Sequence, residues 1–239
     1  MTTEHTVKSF QEELEKLSTG IAQMGGLTEA QLSAALEAVQ RRDNQLAERT
    51  VREDVRIDDL ETQIETQAVR VIALRQPMAA DLREAIASIK ISNDLERIGD
   101  LAKNIAKRAI VIGSDFNIEN RLIQSIGRMG RLAQGQLKTV LDSYSSRDAQ
   151  AAMDVWMQDE EIDEMYNSIF RELLTYMMED PRTIGVSTHL LFIAKNLERI
   201  GDHTTNVAET VRYLITGERV VDDRPKGDTT SMTSIESDD

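Results

Sequence analysis

The chain has 239 residues, a formal net charge of −14 at pH 7, 4% aromatic residues, three prolines and no cysteine. The lack of cysteine excludes disulfides and thiolate metal sites, and the negative charge argues against a nucleic-acid partner, because nucleic-acid binding rests on neutralising phosphates with lysine and arginine. No apolar run approaches the roughly 20 residues of a membrane span, and the polar start is not a signal peptide, so we expect a cytoplasmic protein without a membrane span.

The first half of the chain carries three runs of apolar residues at helical spacing. The first run, from Phe10 to Val39, predicts a long amphipathic helix that Gly25-Gly26 could loosen. After a turn at residues 42–44, a second helix continues through Leu74 and stops before Pro77. A third helix starts after Pro77 and ends at residues 113–115, which we take as the boundary between two halves of the chain.

The same pattern then restarts. A fourth helix is predicted from Leu122 to Leu141, with a turn at residues 145–148. A fifth helix runs through Trp156 and Met177 and stops near Asp180-Pro181, and a sixth runs from about residue 184 to residue 215. Residues 218–239 are rich in Asp, Thr and Ser, a composition that predicts a disordered acidic tail.

The two halves are related by an internal repeat. Residues 95–100, Leu-Glu-Arg-Ile-Gly-Asp, return unchanged as residues 197–202, and six identical consecutive residues are very unlikely to recur by chance. Met24-Gly25 also matches Met129-Gly130 at an offset of 105 residues, which falls to 102 at the repeated segment. We therefore predict an all-α fold of two tandem, pseudo-symmetric three-helix bundles, six long antiparallel helices in all, at residues 1–115 and 116–217.

Each predicted bundle brings acidic residues to matching heights on two helices. Residues equally far from the turn between antiparallel helices lie side by side. Asp58 lies 19 residues before Pro77 and Glu96 lies 19 residues after it. Asp54 and Asp100 lie 23 residues before and after the same proline. The second half repeats this arrangement around its own proline to within one residue, and an asparagine follows four residues after each repeated segment. The candidate metal ligands are thus Asp54, Asp58, Glu96, Asp100, Asn104, Asp159, Asp163, Glu198, Asp202 and Asn206.

Charged residues on helices are usually solvated surface, and this interpretation competes with a metal site. Like charges at i, i+4 destabilise a helix, and Gly99 and Gly201 each cost roughly 1 kcal/mol in a helix interior. A cation between the carboxylates accounts for the like charges, and the glycines would allow a close approach of backbone or ligand. Ligands that are all oxygen favour magnesium, manganese, calcium or iron over structural zinc. His203 is predicted to be a polar helix residue rather than a ligand.

The repeated Leu-Glu-Arg-Ile-Gly-Asp-x-x-x-Asn and the Asp-x-x-x-Asp pairs at residues 54–58 and 159–163 resemble the phosphate transport system accessory protein family, PhoU. The resemblance covers residues 5–217. It implies two similar three-helix bundles, a cytoplasmic protein that often dimerises, and metal clusters of iron, zinc or manganese at the acidic motifs. It also implies negative regulation of phosphate uptake and of the phosphate-starvation response, with the phosphate ABC transporter ATPase subunit and a sensor histidine kinase as partners.

Three classes of function follow from these patterns. The first is a non-enzymatic, metal-binding regulator. The second is a carboxylate-bridged multinuclear metalloenzyme, against which stands the lack of a nucleophile–base pair and of a phosphate-cradling glycine loop in the sequence. The third is a plain helical adaptor whose acids are only solvated. We expect the first class, with no catalytic activity.

Overall fold

The structure is a computed structural model that describes residues 2–113 and 120–220. This part of the chain forms eight α-helices and no strand, with a single turn of 3-10 helix at Pro181–Thr183. The helices are α1 (Thr2–Arg41), α2 (Asn44–Glu53), α3 (Val55–Arg75), α4 (Ala80–Ile112), α5 (Asn120–Ser146), α6 (Ala149–Met157), α7 (Asp159–Glu179) and α8 (Ile184–Thr216). Six of them are long, as predicted, and the prediction of an all-α fold is confirmed.

The second and fifth helices of the sequence prediction are each interrupted, which corrects the expectation of continuous helices. The first break lies at Asp54, whose carbonyl accepts a tight bond from the N–H of Ile57 at 2.8 Å. The second lies at Gln158, whose carbonyl accepts from the N–H of Glu161 at 3.2 Å and from the side-chain amide of Gln136 at 3.0 Å. Bonds of the i to i+3 type are shorter-range than those of an α-helix, so the regular ladder of the α-helix is interrupted at each break.

Helices α4 and α8 form the centre of the molecule and pack against each other. They run antiparallel, because Asp94 of α4 contacts His203 of α8 while Arg108, further along α4, contacts His189, which lies earlier on α8. Helix α4 also packs against α1, α2 and α3, and α8 against α5, α6 and α7. One continuous buried core therefore joins the two repeats.

Helices α1 and α5 make a second contact between the repeats, and small residues allow it. A Cβ atom added to Gly25 would lie 2.8 Å from Leu141, and one added to Gly130 would lie 2.5 Å from Leu36. These pairs are related by the internal repeat, so each helix receives a leucine of the other at its glycine. Helix α1 continues through Gly25-Gly26 without interruption, and the expected loosening there is wrong.

The predicted boundary between residues 115 and 116 lies outside the described residues, as do residues 221–239 of the predicted tail. Helix α4 ends at Gly113, which has a φ of 60°, and α8 ends at Gly217, with a φ of 77°. Gly217 has the left-handed conformation with which glycine commonly terminates a helix, whereas Gly113 combines its positive φ with an extended ψ of −170°. Within the described ranges, no helix combines the length and apolar character that crossing a bilayer requires.

The close contact at Gly130 predicts opposite effects for two alanine substitutions on α5. Gly130→Ala should lower the free energy of unfolding by about 1–2 kcal/mol, because overpacking against Leu36 outweighs the gain in helix propensity. Gly135→Ala should raise it by about 0.5–1 kcal/mol, since a Cβ atom at Gly135 meets nothing within 4 Å. Urea denaturation of the two variants measures both effects, and equal shifts for both would contradict the packing argument.

Candidate functional site

The first carboxylate cluster comprises Asp54, Asp58, Glu96 and Asp100. Asp54 lies at the break before α3, and its side chain is buried, with the residue 3% exposed. Asp100 approaches it from α4, because both carboxylates bind the same ammonium group, that of Lys103. The equal distances from Pro77 thus predicted the meeting of Asp54 and Asp100 correctly.

Lys103 bridges this cluster from within. Its Nζ donates to Asp54 Oδ2 and to Asp100 Oδ1, each at 2.5 Å. Burial acts to lower the pKa of Lys103, but the hydrogen bonds to Asp100 and Asp54 outweigh burial, and the pKa lies above its usual range. The ammonium therefore stays charged at physiological pH and neutralises part of the cluster.

Gln31 supports the buried side of the cluster from α1. Its Nε2 donates to Asp54 Oδ1 at 2.7 Å and to the carbonyl oxygen of Gly99 at 3.1 Å. A Cβ atom at Gly99 would lie 3.1 Å from Ile57 and 3.7 Å from Asp54 Oδ1. The glycine of the repeated segment therefore lets the start of α3 pack closely on α4, which is the close approach that the sequence suggested.

The outer part of the first cluster is more open. Asp58 is exposed and Glu96 is half-buried. Burial raises the pKa of Asp58, and the carboxylate of Asp54 raises it further. Burial and the carboxylate of Asp100 likewise raise the pKa of Glu96. Arg97 turns toward these acids, with its Nε 3.3 Å from Glu96 Oε2 and its Nη1 3.7 Å from Asp100 Oδ2.

The second cluster, Asp159, Asp163, Glu198 and Asp202, is buried more deeply. Asp159, Asp163 and Glu198 are 2%, 5% and 6% exposed, and only Asp202 is half-buried. Burial raises the pKa of Glu198, and Asp202 and Asp163 raise it further, while the ammonium of Lys195 acts in the opposite direction. Glu198 of α8 therefore lies near Asp163 of α7, the pair that the spacing from Pro181 predicted.

The bonds inside the second cluster differ from those in the first. Lys195 Nζ donates to Glu198 Oε1 at 2.9 Å, and Glu198 Oε2 is buried without a hydrogen-bond partner in the described structure. The hydroxyl of Thr205 lies 3.2 Å from Asp159 Oδ1 and 2.7 Å from the carbonyl oxygen of Gly201. Gly201 again makes room for the neighbouring helix, since a Cβ atom there would lie 3.0 Å from Ile162.

The two predicted asparagine ligands are more exposed than the aspartates that they follow, Asp100 and Asp202. Asn104 and Asn206 are both exposed. The side chain of Asn206 donates to Asp94 at 3.3 Å, on the contact between α8 and α4, rather than to an acid of its own cluster. His203 pairs with the same Asp94 at 2.9 Å, so it is a polar helix residue as predicted.

The fit of these residues to a metal ion is incomplete. Among residues 2–113 and 120–220, no three aspartate, glutamate or histidine side chains stand in an arrangement that could hold a metal ion. Binding would require carboxylates to turn toward a common point. The Oε2 atoms of Glu96 and Glu198, one in each cluster, are buried without a hydrogen-bond partner, and they supply one reason for such a change, because a carboxylate oxygen without a donor is costly to bury.

Sequence reasoning missed the lysines of both clusters, Gln31 of the first cluster, and Gln136, which binds the carbonyl oxygen of Gln158 at the break before α7. Gln31 and Gln136 lie 105 residues apart, the offset of the first two helices, and that match was an available signal. For Lys103 the available signal was a difference between the repeats. The second repeat carries Thr205 at the position that corresponds to Lys103. A charge present in only one copy of a repeated segment marks a place where the copies differ in function or packing.

Comparison with known proteins matches this architecture to one family. The PhoU domain model matches the chain twice, at residues 21–109 and 126–211. The chain belongs to the PhoU family. Each matched segment contains one complete carboxylate cluster. The internal repeat therefore corresponds to two PhoU domains, each with its own set of acids.

Relatives in this family cover almost the whole chain. A phosphate-specific transport system accessory protein PhoU homolog from Caulobacter vibrioides is 56% identical over 96% of this chain and 100% of its own length. One from Rhizobium meliloti is 50% identical over 95% of both chains. The crystal structure of PhoU from Pseudomonas aeruginosa is 38% identical with a TM-score of 0.82, covering 87% of this chain and all of that one. The crystal structure of the phosphate transport system regulatory protein PhoU from Streptococcus pneumoniae is 31% identical with a TM-score of 0.81. The match covers 88% of this chain and 99% of that one.

Proposed function

We propose that this PhoU-family chain is a negative regulator of phosphate uptake and of phosphate-starvation signalling. The observation that carries the proposal is the similarity over nearly the full length to relatives named as accessory proteins of the phosphate-specific transport system. In this proposal the chain is a cytoplasmic, homodimeric adaptor without catalytic activity. It contacts the ATP-hydrolysing subunit of the phosphate ABC transporter and a sensor histidine kinase.

The charge of the chain supports an adaptor that recognises basic surfaces. The net charge of −14 favours contact with lysine- and arginine-rich patches on a partner. The non-enzymatic character is supported by the clusters themselves, because Asp54 and Asp100 are occupied by Lys103 and the amide of Gln31 also binds Asp54. These bonds hold the carboxylates in place rather than leaving them free to move protons.

Binding of metal ions at the carboxylate clusters belongs to the same proposal. Iron, zinc, manganese or magnesium would be held by the acids of α3 and α4 or of α7 and α8. The ion would supply positive charge that offsets the repulsion between converging carboxylates. The surrounding residues orient these acids: Gln31 fixes Asp54, and Thr205 lies against Asp159.

Direct binding measurements test the adaptor proposal. The purified full-length chain should bind the transporter ATPase subunit and the cytoplasmic part of the kinase, and both affinities should fall as salt rises, because the steering charges are screened. Biolayer interferometry at low and high salt measures the dissociation constants. The ATPase subunit of an unrelated ABC transporter is the control. Failure to bind either partner at low salt would contradict the adaptor function.

A further inference from the structure

A groove with a volume of about 560 Å³ runs between α1 and α3, and every residue that lines it belongs to one of these helices. The buried side chains of Leu17 and Ile64 underlie it, and a Cβ atom at Gly20 would lie 3.0 Å from Ile64. Neutral amides and hydroxyls line the groove above this floor, and they belong to Thr19, Gln23, Gln63, Thr66 and Gln67. The groove thus combines an apolar floor with groups that donate and accept hydrogen bonds.

Positive charge lies at one end of this groove, because Lys16 of α1 and Arg70 of α3 both line it. They share one level, since both lie between the contact at Gly20 and the ion pair of Glu13 with Arg75. None of the described residues that line the groove is acidic, although the chain has 42 acidic and 28 basic residues. Glu13 lies near both cations, but Arg75 binds its two oxygens at 2.9 Å each. Within the described part of the chain, Lys16 and Arg70 form no ion pair.

The second repeat shows where a carboxylate binds in the matching groove between α5 and α7. At the offset of 105 residues, Arg121 corresponds to Lys16 and Glu172 corresponds to Gln67, and both residues line that groove. Arg121 Nε donates to Glu172 Oε1 at 2.5 Å, and the Glu172 side chain is 19% exposed. The second groove therefore supplies an acid to its own cation. Gln67 brings no charge to the matched place, so the first groove leaves this place open to a carboxylate from another molecule.

We propose that the groove between α1 and α3 binds an extended acidic segment of a protein partner, with a carboxylate of that segment between Lys16 and Arg70. The inference rests on the adaptor function proposed above and names one docking surface for it. The two cations complement the charge of such a segment, and the amides and hydroxyls bond its backbone. From Lys16 to Gln23, α1 rises by about 10 Å, which accommodates roughly three residues of extended chain. Two cations are too few for a nucleic acid, whose binding rests on neutralising many phosphates.

Variants of the full-length chain test this surface in the binding measurement with the transporter ATPase subunit and the kinase. K16Q/R70Q should weaken binding of at least one of these partners by about 5–30-fold, the effect of losing two partly exposed charge contacts. Q67E should weaken it in the same direction, because it gives the first groove the acid that the second groove already has. K90Q/K107Q removes two exposed lysines of α4 and changes the net charge equally, so it should leave the affinity unchanged.

A photo-crosslinking amino acid in place of the exposed Thr19 identifies the bound segment. Mass spectrometry of the crosslinked complex should find an acidic segment of the partner. Crosslinks to a segment without acidic residues, or to a second copy of this chain, would overturn the inference. Wild-type affinity of both K16Q/R70Q and Q67E for both partners would also overturn it, while leaving the adaptor function in place. Wild-type protein that binds neither partner would overturn the docking surface together with the adaptor function.

Discussion

Replacing Lys103 with methionine is expected to lower the free energy of unfolding by about 3 kcal/mol at neutral pH. Removing one partner of a buried ion pair leaves an uncompensated charge, which costs about 3–5 kcal/mol. The lower end of this range applies because the Lys103 side chain is 21% exposed, so water can approach the place that the ammonium leaves. The loss is still large because the Asp54 side chain is only 5% exposed. Urea denaturation in the presence of a chelator measures the loss.

Two further variants make this prediction specific. Lys107→Met, on the same helix, removes an exposed lysine and should change stability by less than about 0.5 kcal/mol. Asp54→Asn combined with Lys103→Met removes both charges while leaving an oxygen to accept from Gln31, so most of the lost stability should return. A single Lys103→Met variant as stable as the Lys107→Met control would show that the ion pair does not stabilise the fold.

Deleting the gene for this chain is expected to leave phosphate-starvation genes expressed in phosphate-rich medium. The expectation follows from the proposed regulator, because a kinase or transporter that has lost its inhibitory partner no longer responds to abundant phosphate. Reporter expression and uptake of labelled phosphate measure the effect. Expression of the wild-type chain from a plasmid should restore repression, and unchanged reporter and uptake in the deletion strain would contradict the regulatory role.

Complementation also connects the clusters to regulation. E198Q/D202N should restore repression only in part, because it changes two acids of the second cluster, including the buried Glu198 that binds Lys195. The matched E96Q/D100N variant, altered in the cluster that Lys103 already neutralises, should restore it more fully. Immunoblots that show equal amounts of both variants control for differences in stability within the cell.

The two repeats share their helices and glycines but not their internal charges. Gly99 and Gly201 make the same close contact with Ile57 and Ile162, so the frame around each cluster is the same. The donors that fill the frame differ, with Lys103 in one repeat and Thr205 in the other. Duplication therefore gives two clusters within one frame, and a substitution at a single position changes the donor that fills each of them.

The sequence by itself determined the helices, their approximate ends and the internal repeat. Apolar residues at helical spacing defined the long helices, and Pro77 and Pro181 fixed the turns, because helices end before proline. Short turns make successive helices antiparallel, and this rule was enough to predict that Asp54 and Asp100 would meet. Such features depend on local pattern and on distance from a turn, which a sequence displays directly.

Only the tertiary structure decided the partners of the acids and the packing of one repeat on the other. Lys103, Gln31 and the reciprocal fit of Leu36 and Leu141 at Gly130 and Gly25 depend on how far each helix is rotated about its axis. The breaks at Asp54 and Gln158 and the antiparallel contact of α4 with α8 depend on contacts between residues distant in the chain. Local periodicity does not encode rotation or distant contacts, because both are set by the packing of all the side chains in the core together.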